Sequence, residues 1–166
     1  MFNDIAHLFG SVQRTKLLKF FLFQPDIRMS ARAAGAAISI PKAAAEKEAR
    51  ALVKLGVLVA KRHKKNILLS ANAAYPWLSA VRTFLDATTL PNDRAIAGAF
   101  KGVSGISLIV ATGILAREER SSVDLLIVAR KSKNPGIAKA VARVERLAGL
   151  PLRYAVLEPG RYAERL

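Results

Sequence analysis

The segment from Pro41 to Leu69 constrains the fold more than any other part of the chain. A proline is tolerated in the first turn of a helix, where its missing N–H would have no intrahelical partner. Behind Pro41, Ala45, Ala49, Leu52 and Val53 recur at helical spacing up to about Leu55, and Gly56 closes the run. Two short apolar segments follow, Val57–Ala60 and Ile67–Leu69, separated by Lys61-Arg62-His63-Lys64-Lys65-Asn66. Apolar runs flanking a polar tip predict a β-hairpin. Five of the six tip residues are basic or potentially basic, and a surface turn needs no such charge in order to fold. A loop that lies along phosphates or enters a minor groove does need it.

The flanking segments extend the pattern. Leu8, Val12, Leu17, Leu18, Phe21 and Leu22 predict a helix from about Ser11 to Phe23, ended by Gln24-Pro25-Asp26. Ser30 is a suitable N-cap for a short helix, Ala31–Ala37. Ile38-Ser39-Ile40 is then a tight connection to the third helix. After the hairpin, a last helix of about Ala74–Ala87 carries Trp77, Leu78, Val81, Phe84 and Leu85 on one side.

Helix, short helix, helix and basic hairpin resemble, in that order, the winged helix-turn-helix over roughly residues 7–90. Two motifs add to the resemblance. Leu8-Phe9-Gly10-Ser11-Val12-Gln13-Arg14-Thr15-Lys16-Leu17-Leu18 is similar to the opening of small bacterial and archaeal regulators, and Leu52-Val53-Lys54-Leu55-Gly56-Val57-Leu58 to the end of their third helix. The resemblance implies that the third helix enters a DNA major groove, its N-terminal residues nearest the base edges. Its exposed candidates are Lys42, Ala43, Glu46, Lys47 and Arg50, with Ala45, Ala49, Leu52 and Val53 packing inward. Lys42 and Lys47 can reach phosphates or guanine acceptors, Ala43 a thymine methyl, and Glu46 a cytosine amine, whereas Arg50 suits the backbone. Arg32 is a further candidate contact, and Lys61, Arg62, His63, Lys64 and Lys65 form the wing. The helix exposes no Asn or Gln, so phosphate contact and DNA shape are expected to outweigh direct base reading. The plainer alternative is a solvated helix face with an i,i+4 pair from Glu46 to Arg50.

Charge points the same way. The 166 residues hold 27 Lys and Arg against 12 Asp and Glu, a net +15. Such an excess costs self-repulsion and indicates a polyanionic partner, nucleic acid first and an anionic membrane surface second. Residues 1–90 contribute a net +9 and residues 91–166 a net +6, and Thr88-Thr89-Leu90-Pro91-Asn92 is a polar joint between two periodic regions. Hydrophobic residues at 52% suffice for a packed core. The absence of cysteine excludes disulfides, zinc ribbons and thiol catalysis. His63 has only His7 as a fellow histidine, so no metal site is expected. The N-terminus shows no secretory signal, and the longest uncharged stretches, Asn66–Val81 and Gly102–Ala116, are too short to span a bilayer. A cytoplasmic protein without membrane contact is expected.

Beyond the joint, the pattern is helix (about Asn92–Lys101), strand (Ile106–Ala111), polar segment (Arg117–Ser122), strand (Val123–Ala129), helix (Pro135–Leu147), strand (Leu152–Leu157) and a terminal helix (Gly160–Leu166). The expected class is therefore α+β: a winged helix-turn-helix over residues 1–90, then a small α/β domain over 91–166. The stretch Thr112-Gly113-Ile114-Leu115-Ala116-Arg117-Glu118-Glu119 followed by Ser121-Ser122-Val123-Asp124-Leu125-Leu126 resembles the minimal nucleotidyltransferases of the DNA polymerase β superfamily. An active member holds Mg²⁺ between two aspartates separated by one residue, which share a strand face. Here the first position is Ser122, only Asp124 remains, and the phosphate-binding Gly-Ser pair appears as Thr112-Gly113. The resemblance thus implies an inactive domain, with Thr112, Gly113, Arg117, Ser122 and Asp124 as a residual nucleotide site. Asp124 has a structural reading as well, as an aspartate paired with Arg117 or Arg120. Lys131 and Lys133 form a basic loop for phosphate contact or solubility.

The expected function is double-stranded DNA binding by a transcription regulator that is not an enzyme and needs no cofactor. A homodimer is expected, with the apolar side of Ala74–Ala87 as its interface and an unidentified small molecule or nucleotide as effector. Two alternatives stand beside it: a nucleotidyltransferase delivered to its target by the first domain, and a general nucleic-acid-binding protein.

Overall fold

Described over residues 2–118 and 121–163, the computed structural model is a mixed α+β chain that divides into two units, Met1–Thr89 and Leu90–Leu166. The first contains α1 (Phe2–Leu8), α2 (Val12–Leu22), α3 (Ala31–Ala37), α4 (Lys42–Lys54), β1 (Leu58–His63), β2 (Asn66–Ala71) and α5 (Leu78–Thr89). Capping decides where these helices begin. The Ser11 hydroxyl accepts from the Arg14 N–H at 3.0 Å, so Ser11 caps α2 and is not part of it. Leu8, expected to share the periodicity of that helix, belongs to α1. Ser30 caps α3 at 3.2 Å, and Pro41 stands as the N-cap of α4, one position before its first turn. Between α3 and α4 the chains approach so closely that a Cβ on Gly35 would sit 2.6 Å from the Ala45 methyl. Only glycine fits there.

The helix expected to start near Ala74 starts at Leu78 instead. The Asn72 side chain donates to the Gly56 carbonyl at 2.7 Å and accepts from the Ala74 N–H at 3.1 Å. That pins the backbone in a turn, Pro76 follows, and Trp77 is left outside the helix. Leu17, Leu18, Phe20, Phe21 and Leu22 of α2 pack into a core with Ala45, Ala49, Leu52, Leu58, Leu69 and Leu85. Each such large apolar side chain contributes about 2 kcal/mol on burial.

The hairpin is longer than its sequence pattern. Antiparallel pairs run from Leu58↔Ala71 to His63↔Asn66, so Lys61, Arg62 and His63 lie within β1 and the expected six-residue tip shrinks to Lys64-Lys65. An exposed two-stranded ribbon imposes no apolar requirement on either face near its end, so charged residues pair there without penalty. Met29 exchanges both backbone hydrogen bonds with Leu69, at 3.1 and 2.8 Å, and ties the ribbon to the segment before α3.

The second unit contains α6 (Asp93–Ala99), β3 (Ile106–Ala111), the one-turn α7 (Gly113–Ala116), β4 (Leu125–Ala129), α8 (Pro135–Ala148), β5 (Tyr154–Leu157) and α9 (Pro159–Ala163). Strand order is β3-β4-β5, with β4 antiparallel to β3 and parallel to β5. The continuous apolar run of β4 suits a central strand. Leu125, Ile127 and Ala129 meet Ile137, Ala140, Val141 and Val144 of α8, with Ile96, Ala99 and Phe100 completing the core. Strands β4 and β5 each start two residues later than expected, because the N–H groups of Asp124 and Leu125 both bond to the Arg153 carbonyl ahead of the regular ladder. Glu119 and Arg120, in the middle of the expected polar segment, and residues 164–166 of the expected terminal helix lie outside the described residues.

No helix among the described residues is long and apolar enough to cross a membrane.

Candidate nucleic-acid interface

Helix α4 owes its exposed face to the spacing of its small and apolar residues. Ala45, Glu48, Ala49 and Leu52 are buried, which turns Lys42, Ala43, Lys47 and Arg50 to solvent. Glu46 is half-buried. Its carboxylate meets Lys42 Nζ at 3.9 Å, so the i,i+4 pair expected with Arg50 is formed with Lys42, toward the N-terminus. An exposed pair of this length contributes little to stability. All five wing candidates, Lys61, Arg62, His63, Lys64 and Lys65, are exposed. Register sets Lys61 and His63 on one face of the ribbon and Arg62 on the other. Lys64 has φ +54°, a left-handed conformation that costs a lysine about 1–2 kcal/mol relative to glycine.

One groove of about 640 Å³ gathers part of this set. Arg32 at the start of α3, Glu46 and Arg50 of α4 and Lys65 of the turn all line it, together with Val53, Lys54 and Ile67. Val53, expected to pack inward, is half-buried on the groove wall. Lys42, Ala43, Lys47, Lys61, Arg62, His63 and Lys64 do not line the groove, although each is exposed in the same unit.

The residual nucleotide candidates divide differently. Asp124 is 1% exposed. Its Oδ1 accepts from the Ile114 N–H at 3.1 Å and from Arg153 Nη2 at 3.2 Å, while its Oδ2 accepts from the Arg153 N–H at 2.9 Å and from Nε at 3.3 Å. Four donors occupy the acceptor capacity of one carboxylate, and Arg153 pairs with Asp124; of the partners expected for it, Arg120 lies outside the described residues. Gly113, with φ +52°, lies so close that any Cβ would collide with the Asp124 carboxylate and the Val123 carbonyl. The Thr112 hydroxyl donates to the Val123 carbonyl at 2.6 Å. Thr112, Gly113 and Asp124 thus form one knot of internal hydrogen bonds, while Arg117 and Ser122 are exposed around it. As arranged, the carboxylate has no lone pair left for a metal ion. Among the described residues no cluster of three or more His, Cys, Asp or Glu is placed to hold one.

No family model, curated protein or solved structure matches this chain.

Three residues that shape these sites escaped the sequence pattern. Glu48, 7% exposed, accepts from Arg14 Nε at 2.7 Å and from the Ser11 hydroxyl at 3.1 Å, joining the start of α2 to the middle of α4. A carboxylate on the apolar side of the helix, at the spacing 45, 48, 49, 52, is the signal that reveals it. Lys19 is fully buried and donates to the Thr89 carbonyl at 3.1 Å. Burial lowers its pKa to about 7, with the nearby Asp86 carboxylate opposing the shift. Arg153 lies 29 positions from its partner Asp124, a separation at which no local pattern operates.

Proposed function

We propose that this chain is a double-stranded DNA-binding protein of the winged helix-turn-helix kind, a transcription regulator that acts in the cytoplasm as a homodimer. The observation that carries the reading is the turn Lys64-Lys65. A lysine stands in a left-handed backbone position that favours glycine, at the end of a ribbon that also exposes Lys61, Arg62 and His63. Folding alone selects against that choice, whereas contact with phosphates rewards it. Exposed Lys42, Lys47 and Arg50 on α4 give a reading helix the same chemistry. For the dimer, the candidate surface is the apolar side of α5 and its approach, where Trp77 is 65% and Phe84 40% exposed.

The test is a salt titration of binding to random duplex DNA by fluorescence anisotropy. The full chain is compared with Lys64→Ala/Lys65→Ala. Affinity should fall steeply with salt, and the double variant should flatten the slope by about 0.9 per lost phosphate contact, whatever the DNA sequence. Equal slopes would remove the wing from the reading. A clear preference for structured RNA over duplex DNA would overturn the assignment itself.

For the second unit we propose a nucleotidyltransferase-like domain without transfer activity. Its support is the saturation of the Asp124 carboxylate by four N–H donors and the hydroxyl of Ser122 at the other metal-ligand position. Incubation with labelled nucleoside triphosphates and Mg²⁺ or Mn²⁺ should yield no labelled product. Transfer that is lost in Asp124→Asn would contradict the proposal.

A further inference from the structure

DNA contact accounts for the cations around the groove between α4 and the ribbon, but not for its floor. Val53, Ala60, Ile67 and Leu69 line the groove with hydrocarbon, and Ile67 is left 61% exposed. A phosphate backbone offers such a floor no apolar partner. Above it stand Arg32, Arg50, Lys54 and Lys65, opposed by the single carboxylate of Glu46. The volume, about 640 Å³, lies within the range of small-molecule sites.

We infer that this groove binds a small amphipathic anion, an organic acid with a compact aromatic or branched apolar body and one carboxylate or sulfonate head. The body covers Ile67 and Val53, removing from water the apolar surface that the fold leaves open. The head pairs with Arg50 and Lys65, a guanidinium and an ammonium that two different elements contribute to the groove lining. The site rests on the DNA-binding reading in one respect only: its cations are those proposed for phosphate contact, so acid and DNA compete for them. An acid of this class is then the effector that releases the protein from DNA. Each ligand weakens the other by the same factor.

The experiment uses the full chain and two probes, 1-anilinonaphthalene-8-sulfonate followed by fluorescence and 1-naphthoate as its competitor. Saturable binding of one probe per chain, displaced by naphthoate, is expected. Ile67→Glu removes apolar floor and adds a like charge, and should weaken binding at least tenfold. Arg50→Gln should weaken it several-fold, and Leu147→Ser, an exposed apolar residue of the second unit that does not line the groove, should leave it unchanged. Circular dichroism on each variant verifies the fold, and because all three side chains are exposed, Arg50→Gln still decides if Ile67→Glu is misfolded. Binding indifferent to both groove variants, or lost in Leu147→Ser, overturns the inference. These titrations contain no DNA, so they succeed or fail independently of the DNA-binding reading. A second arm adds saturating naphthoate to the DNA titration, and undiminished DNA affinity would overturn the effector role. If Ile67→Glu weakens DNA binding while neither probe binds the wild type, the residue is instead an apolar wedge against DNA, and the inference is wrong.

Discussion

At Lys64 the demands of folding and of binding can be separated within one side chain. Glycine at this position relieves a left-handed lysine, though part of the gain is returned through the freer unfolded chain. Lys64→Gly is therefore expected to leave stability unchanged or raise it by up to about 1 kcal/mol, while DNA affinity falls. Urea midpoints and anisotropy titrations on the same preparation check both halves. Lys19 makes the opposite case, a charge that serves no surface. Its pKa is about 7 in the fold against an ordinary 10.5. Below about 7 the ammonium is charged in both states and the burial penalty is fully present. Between those values the unfolded chain binds a proton that the folded chain does not, so stability rises with pH by up to about 1.4 kcal/mol per unit from this group. Urea midpoints at about pH 6 and about pH 9 should show wild type gaining on Lys19→Met across the interval. An unchanged difference would mean that Lys19 titrates normally. Lys64 was legible in the sequence as a basic tip residue, but its backbone strain was not, since φ at a turn depends on the register of the ribbon. Lys19 was illegible because nothing in its own helix distinguishes a lysine that snorkels from one that is enclosed by a distant α5.

Elements were legible where their own periodicity or capping chemistry decides them, as with α3 behind Ser30 and α8 between Asn134 and Gly149. They were misplaced where a long-range bond takes over. Strands β4 and β5 start late because the Arg153 carbonyl captures two N–H groups, and α5 starts late because Asn72 reaches Gly56. The position of α4 is a matter of this kind. Glu48 receives both Ser11, the cap of α2, and Arg14 within α2, so Leu8-Phe9-Gly10-Ser11-Val12-Gln13-Arg14 functions as a bracket that fixes the helix carrying Lys47 and Arg50. Glu48→Ala should strand a half-buried guanidinium and lower the stability of the first unit by about 2 kcal/mol. DNA affinity should fall as well, although no DNA contact is removed. Preserved stability in denaturant titrations would show that the bracket is dispensable. In the second unit, Gly113→Ala forces a methyl into the Asp124 carboxylate and its four donors. The expected loss is about 2–4 kcal/mol, read as an early unfolding transition, and a silent substitution would contradict the packing described around Asp124.

On the scale of the whole chain, net charge is shared while its arrangement is not. Residues 1–90 carry +9 and residues 91–166 carry +6, a ratio that by itself would divide an electrostatic partner nearly evenly. In the first unit Arg32, Lys42, Lys47, Arg50, Lys54, Lys61, Arg62, His63, Lys64 and Lys65 are all exposed on α3, α4 and the ribbon, and Glu46 is the one carboxylate on those three elements beside the buried Glu48. In the second unit the carboxylates are used differently: Asp124 neutralises Arg153, and Glu145 is spent on the Leu152 N–H. Salt dependence counts phosphates contacted, not net charge. The salt slope of the full chain should therefore be retained almost entirely by fragment 1–89, and fragment 90–166 should bind duplex DNA with a much shallower slope. Each fragment has a core of its own and is expected to unfold as a separate transition. If the slope instead divides between the fragments in the proportion of their charges, the basic excess acts as a diffuse field, and the particular placement of α4 and the ribbon loses its claim to explain binding.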